Sequence, residues 1–160
     1  MGLLYANVGE VVYMAVTIGL FHHTRDIAVA LDRIQSLGVL EYNVALLELG
    51  QHGPNGTPSL HVSGYLEHDA REGEIRTIEE GVYLALSREG FYTEDMVSWL
   101  QDVQPGNGVL VVRSQPDVAP WISEAFRRAG ARIAVDSESQ GELVDFANRR
   151  RWQPTDRQPV

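Results

Sequence analysis

Two stretches of the chain, Val16–Glu48 and Val109–Glu138, read as copies of one strand–helix–strand unit. Each runs from an apolar strand through a short polar break into a helix, then past a glycine into a second apolar strand. Asp26-Ile27-Ala28 corresponds to Asp117-Val118-Ala119, and Leu37-Gly38-Val39 to Ala129-Gly130-Ala131. A repeated βαβ unit leaves few ways to build a sheet, because each crossover must return its strand to the same sheet with a fixed hand. Setting the two units beside the strand between them gives an α+β, ferredoxin-like antiparallel sheet. That arrangement has helices on one face and a helical insertion in the middle of the chain.

The first unit spans 11–49. Its opening strand, Val11–Phe21, is nearly continuous in apolar residues, which marks a strand covered on both sides. A helix over Arg25–Leu37 follows from the spacing of Ile27, Ala30, Leu31, Ile34 and Leu37, with Thr24 as N-cap and Gly38 as stop. Asn43–Leu49 is the second strand. The turn formers of Gln51–Pro58 make a hairpin to a half-buried strand over 60–66, where Leu60, Val62 and Leu66 alternate with polar residues. A helical insert occupies 74–103: one helix over Glu74–Arg88, and a second opened by Thr93-Glu94-Asp95. The second βαβ unit covers 109–136. A short helix is expected over Ser139–Asn148 and a flexible tail over 149–160. At 160 residues the whole of 1–148 is expected to be a single domain.

Composition limits the chemistry. The chain has no cysteine, which excludes disulfides, thiolate metal sites and thiol catalysis. All 13 basic residues are arginine, against 22 acids, for a net charge of −9. That balance argues against nucleic acid and anionic membrane surfaces as partners. Acid concentrates in Glu67–Asp102, which holds ten Asp and Glu against three Arg. The apolar run Val11–Phe21 has 11 residues, short of the roughly 20 needed to span a bilayer. No membrane span is therefore expected, and the cytoplasm is the expected location.

The pattern resembles bacterial general-stress-protein-like families of unknown function. The residues that carry the likeness are Thr93-Glu94-Asp95-Met96, Gln104-Pro105-Gly106, Val109-Leu110-Val111-Val112 and Arg127-Arg128-Ala129-Gly130-Ala131. It covers most of Val11–Val135 and rests on pattern. Those families have no established enzymatic activity, so the resemblance implies a non-enzymatic or unknown role; no cofactor is expected.

Site signals are sparse. His22 and His23 sit at a strand-to-helix junction, and His61 and His68 flank the hairpin strand, with Glu67 and Asp69 as further oxygen donors. These are the candidate metal ligands, although no spacing among them matches a helical or strand-borne metal motif. The adjacent carboxylates Glu79-Glu80 and Glu94-Asp95 diverge around a helix and cannot share a proton. Val11 and Tyr13 in the first strand, and the tail cluster Arg149, Arg150, Arg151 and Trp152, are expected at an interface between copies. There the tail meets the acidic face of a neighbour.

Three readings result. The first is a non-enzymatic, stress-type structural protein that forms homo-oligomers through its sheet faces. The second is a regulatory module with a small-molecule ligand at a subunit boundary near Gly38, His22 or Gly130. The third is a dimeric α+β-barrel enzyme with a cavity lined by His22, His23, His61 or His68. The absence of any catalytic constellation favours the first.

Overall fold

The computed structural model describes residues 14–52, 56, 58–91 and 99–139. Its elements in chain order are β1 (Ala15–Phe21), α1 (Thr24–Ser36), a 3-10 turn (Glu41–Asn43), β2 (Val44–His52) and β3 (Pro58–Gly64). There follow α2 (Glu67–Arg71), α3 (Ile78–Arg88), a second 3-10 turn (Trp99–Asp102), β4 (Gly108–Ser114), α4 (Ala119–Arg128), β5 (Ile133–Asp136) and a third 3-10 turn (Ser137–Ser139). Val11, Tyr13, Arg149, Arg150, Arg151 and Trp152 lie outside the described residues. So do most of the helix expected from Thr93 and all but the first residue of the one expected over Ser139–Asn148.

The fold is α+β. Its five strands form one sheet in the order β3-β2-β4-β1-β5, and every neighbouring pair is antiparallel. β1 and β2 both run antiparallel to β4, so they are parallel to each other and α1 crosses over one intervening strand. The same holds for β4 and β5, with α4 crossing over β1. The two crossovers interlock at the centre of the sheet, and β3 adds to the outside of β2 as a hairpin.

Strand alternation divides the core into two layers. On one face Phe21, Leu110, Val112 and Ala134 pack against Ile27, Ala30 and Ile34 of α1 and Ile122 and Phe126 of α4. Phe21 and Phe126 meet edge-to-face, with ring centroids 5.6 Å apart. Gly19 makes room for that contact, since a Cβ there would fall 2.5 Å from Phe126 Cδ2. On the other face Val16, Ile18, Leu20, Ala45, Leu47, Val109 and Val111 pack against Ile78, Val82, Ala85 and Leu86 of α3.

Helices therefore cover both faces, which corrects the expectation of helices on one face only. The reason is the apolarity of β1 and β4, which leaves each face hydrophobic and in need of cover. The inserted segment supplies it from within the same chain. Gly81 lets α3 lie close on the sheet, because a Cβ there would collide with the Leu47 side chain.

Several boundaries also shift. α3 begins at Ile78 rather than Glu74, because Thr77 and Glu80 form a reciprocal capping box. The Glu80 N–H donates to Thr77 Oγ1 at 3.1 Å, and the Thr77 N–H donates to Glu80 Oε1 at 3.2 Å. Such a cap stabilises a helix start by about 1 kcal/mol. The short helix α2 was not expected. α1 starts at Thr24, with His23 at the N-cap making no side-chain cap bond. The two helix openings are not equivalent: Asp26 lies in the first turn of α1, whereas Asp117 precedes α4, whose first turn carries Pro120 instead. The two stops do correspond, Gly38 and Gly130 both having positive φ.

Candidate functional site

One end of the sheet gathers the start of β1, β2's first residue, the ends of β3, β4 and β5, and the chain segments that join them. The register fixes this convergence: Ala15 faces Ser114, Val44 faces Val112, Ala45 faces Gly64 and Thr17 faces Asp136. α1 finishes at this end and α4 starts here, because the two helices follow antiparallel strands.

A polar cluster closes the end on the α3 side. Arg113, the one charged residue of β4, stacks its guanidinium over the Tyr65 ring at 4.0 Å from the centroid. Its Nη2 donates to the Tyr42 carbonyl at 3.0 Å. The Tyr65 hydroxyl is buried without a hydrogen-bond partner, as is Arg113 Nε. Burial pushes the Tyr65 hydroxyl well above its ordinary range, against the opposing pull of Arg113. At neutral pH the phenol is protonated. Beside it Arg88 of α3 holds the buried Asp69 of α2 with its two terminal guanidinium nitrogens, Nη1 donating to Oδ2 at 2.8 Å and Nη2 to Oδ1. Those hydrogen bonds lower the Asp69 pKa. The neighbouring Glu89 accepts from the Met14 N–H at 3.3 Å.

The contacts of this cluster fasten neighbouring elements together. A protonated phenol and a closed ion pair supply neither a base nor a nucleophile. What they do is tie α2 and α3 to each other and β4 to the turn that carries Tyr42. Outside that framework the same end exposes four large hydrophobic side chains among polar ones. Tyr42 and Trp121 are each 66% exposed, Leu40 51% and Leu37 38%. These are four of the six large hydrophobic side chains exposed among the described residues, the others being Val29 and Tyr83. Leu37 caps α1, Leu40 and Tyr42 lead into β2, and Trp121 lies in the first turn of α4.

The histidines do not converge. His22 and His23 are exposed just beyond Phe21, at the opposite end of β1. Phe21 faces Gly108, Gly108 faces Glu48 and Glu48 faces His61. Three strand spacings therefore separate His22's neighbour from His61, about 14 Å at ~4.8 Å each. His68 is exposed on α2. Among the described residues no group of three or more His, Cys, Asp or Glu could hold a metal ion.

Gly38 also stands apart from Gly130 and His22. Gly38 follows the end of α1, whereas Gly130 closes on Asp26 in its first turn. No helix among the described residues is long and apolar enough to cross a membrane.

Sequence reasoning missed Tyr42, Tyr65, Arg88, Arg113 and Trp121. One signal was available: Arg113 is the one charged residue of a mostly apolar, buried strand, so its charge had to find a partner. Compared with family models, curated proteins and solved structures, the chain matches none.

Proposed function

We propose that the protein is a non-enzymatic, self-assembling structural module of the stress-protein kind, and that copies associate through the apolar end patch of Leu37, Leu40, Tyr42 and Trp121. We read its core, β2-β4-β1-β5 with two interlocking crossovers, as a ferredoxin-like duplication to which β3, α2 and α3 were added. The observation that carries the assembly reading is the concentration of exposed Trp and Tyr at one end of a sheet whose two faces are already covered. Patches of this kind, with aromatic anchors, mark contact surfaces.

A second copy is the partner that fits. The rim carries both signs, Arg33 in the last turn of α1 and Glu41 and Asp117 beside the patch, so a two-fold axis can oppose unlike charges around paired aromatics. The Arg113 bond to the Tyr42 carbonyl fixes the turn whatever side chain Tyr42 bears.

Replacing Trp121 and Tyr42 together by serine should weaken self-association at least ~30-fold, as loss of anchors worth about 2 kcal/mol or more predicts. The unfolding free energy of the monomer should stay within about 0.5 kcal/mol of the parent, because both side chains are exposed. Light scattering over a concentration series checks this. A parent protein that stays monomeric at hundreds of micromolar, or an assembly indifferent to the double substitution, removes the reading.

A further inference from the structure

We infer that the outer edge of β3 is a strand-pairing site for a second copy of the chain, the two β3 strands running antiparallel about a two-fold axis at Val62. β3 and β5 are the two edges of the sheet, and they are guarded unequally. β5 has four residues, and Arg127 Nη2 donates to the outward carbonyl of Ala134 at 3.2 Å. β3 has seven residues, none of them charged, with proline only at its first position, Pro58. Charged side chains and interior prolines are how sheets keep an edge from pairing with another chain.

Two bonds fix which way the edge faces. The Tyr65 N–H donates to the Val44 carbonyl and the Leu49 N–H to the Asn107 carbonyl, both at 3.1 Å. Val44, Leu46 and Glu48 therefore bond toward β3, and Ala45, Leu47 and Leu49 toward β4. On β3, Ser63 and His61 bond inward to β2, while the N–H and C=O groups of Leu60, Val62 and Gly64 point away from the sheet. No described residue hydrogen-bonds to those outward groups. Pro58, Ser59, His61 and Gly64 are exposed along the same strand.

An identical strand suits this edge. About a two-fold axis at Val62, the Val62 N–H and C=O pair with those of the other copy, and Leu60 pairs with Gly64. Val62 then meets its counterpart on the α3 side as a β-branched pair, and His61 faces Ser63 on the other side, so no like charges are opposed. The inference goes beyond the proposed end contact and does not rest on it. Backbone pairing over five residues contributes less than aromatic anchors, so the edge is the weaker of the two contacts.

The chain has no cysteine, so single introduced thiols can read the register. Every variant carries Tyr42→Ser and Trp121→Ser, which takes the end patch out of the measurement. Full-length His61→Cys and Ser63→Cys chains are mixed in equal amounts and mildly oxidised. Across the axis, positions 61 and 63 form a non-hydrogen-bonded pair with Cα atoms about 4.5 Å apart, within disulfide reach. Like positions lie on the diagonal at about 7–8 Å, beyond it. The crossed 61–63 dimer should therefore form at least ~10-fold faster than either like-paired dimer. In chains without the thiols, His61→Arg with Ser63→Arg opposes like charges across the axis and should leave only monomer in sedimentation velocity. Within its own chain position 61 faces Glu48, so an arginine there suits the fold, and an unchanged far-UV spectrum checks it. A statistical mixture of the three dimers, an excess of a like-paired dimer, or pairing indifferent to the two arginines would overturn the inference. So would the absence of any disulfide between copies, which would leave the edge to a strand of another protein.

Discussion

Gly64→Ala should be the most damaging glycine-to-alanine change among the described residues, costing more than about 4 kcal/mol in chemical unfolding. Gly64 ends β3 opposite Ala45, with φ at 87°, and turns the chain off the sheet into α2. The turn is tight because the next residue's N–H, that of Tyr65, donates to the Val44 carbonyl at 3.1 Å. A Cβ on Gly64 would land on that same carbonyl oxygen and lie 2.7 Å from Ala45 Cα. Both obstacles are backbone atoms of a paired strand, so neither can swing away. Relief requires β3 to separate from β2, which unseats Tyr65 and the cluster built on it.

Gly73→Ala is the control. Its φ is 82°, but nothing lies within 4 Å of the added Cβ, so only the backbone penalty of about 1–2 kcal/mol applies. Equal costs at the two sites would show that the close approach at Gly64 is not real.

Arg88→Met should cost about 2 kcal/mol at pH 7, the scale for losing hydrogen bonds to a charged group whose partner is itself solvent-exposed. The Asp69 side chain is only 10% exposed, against 44% for Arg88, so the carboxylate is the group left without compensation. The cost should depend on pH with a definite sign. Arg88 holds the Asp69 pKa below its ordinary value in the folded protein. The pair's contribution is therefore full above the unfolded carboxyl value of about 4, and is lost as pH falls through the folded value. In the variant the desolvated carboxyl has its pKa raised instead, and protonation relieves it. The stability gap between parent and variant should thus be widest near neutrality and close on acidification toward pH 3. Denaturant titrations at several pH values measure it. A gap below 1 kcal/mol at pH 7, or one that persists unchanged into acid, contradicts the role given to this pair.

Much of the sheet was legible in the chain before any coordinates. The apolar runs of β1, β2 and β4 and the helical spacing of Ile27, Ala30 and Ile34 are local signals, and so is the glycine stop at Gly38. They place the elements they belong to. The hairpin onto β2 was equally visible in its turn residues.

Which element covers the second sheet face was not legible. Val16, Ile18 and Leu20 announce that something must lie on them, but not whether α3 or another copy does so. The Arg113–Tyr65 stack was hidden for the same reason, since it joins β4 to the residue after β3 through two strand registers. The histidines, whose spacing matched no metal motif in the sequence, are a further case in which register decides. They are close in type and suggestive in sequence, yet the register sets His22 and His61 apart on the sheet.

α3 and its neighbours seal the second face of the sheet from within one chain, and the proposed self-association would then run through the end patch. Amide hydrogen exchange of β1 and β4 on dilution, from an associating concentration to one at which light scattering reports monomer, tests it most directly. The account predicts that protection over Ala15–Phe21 and Gly108–Ser114 is unchanged by dilution. Loss of that protection in the monomer would mean that another copy, and not the inserted helices, covers the face, and would contradict the account.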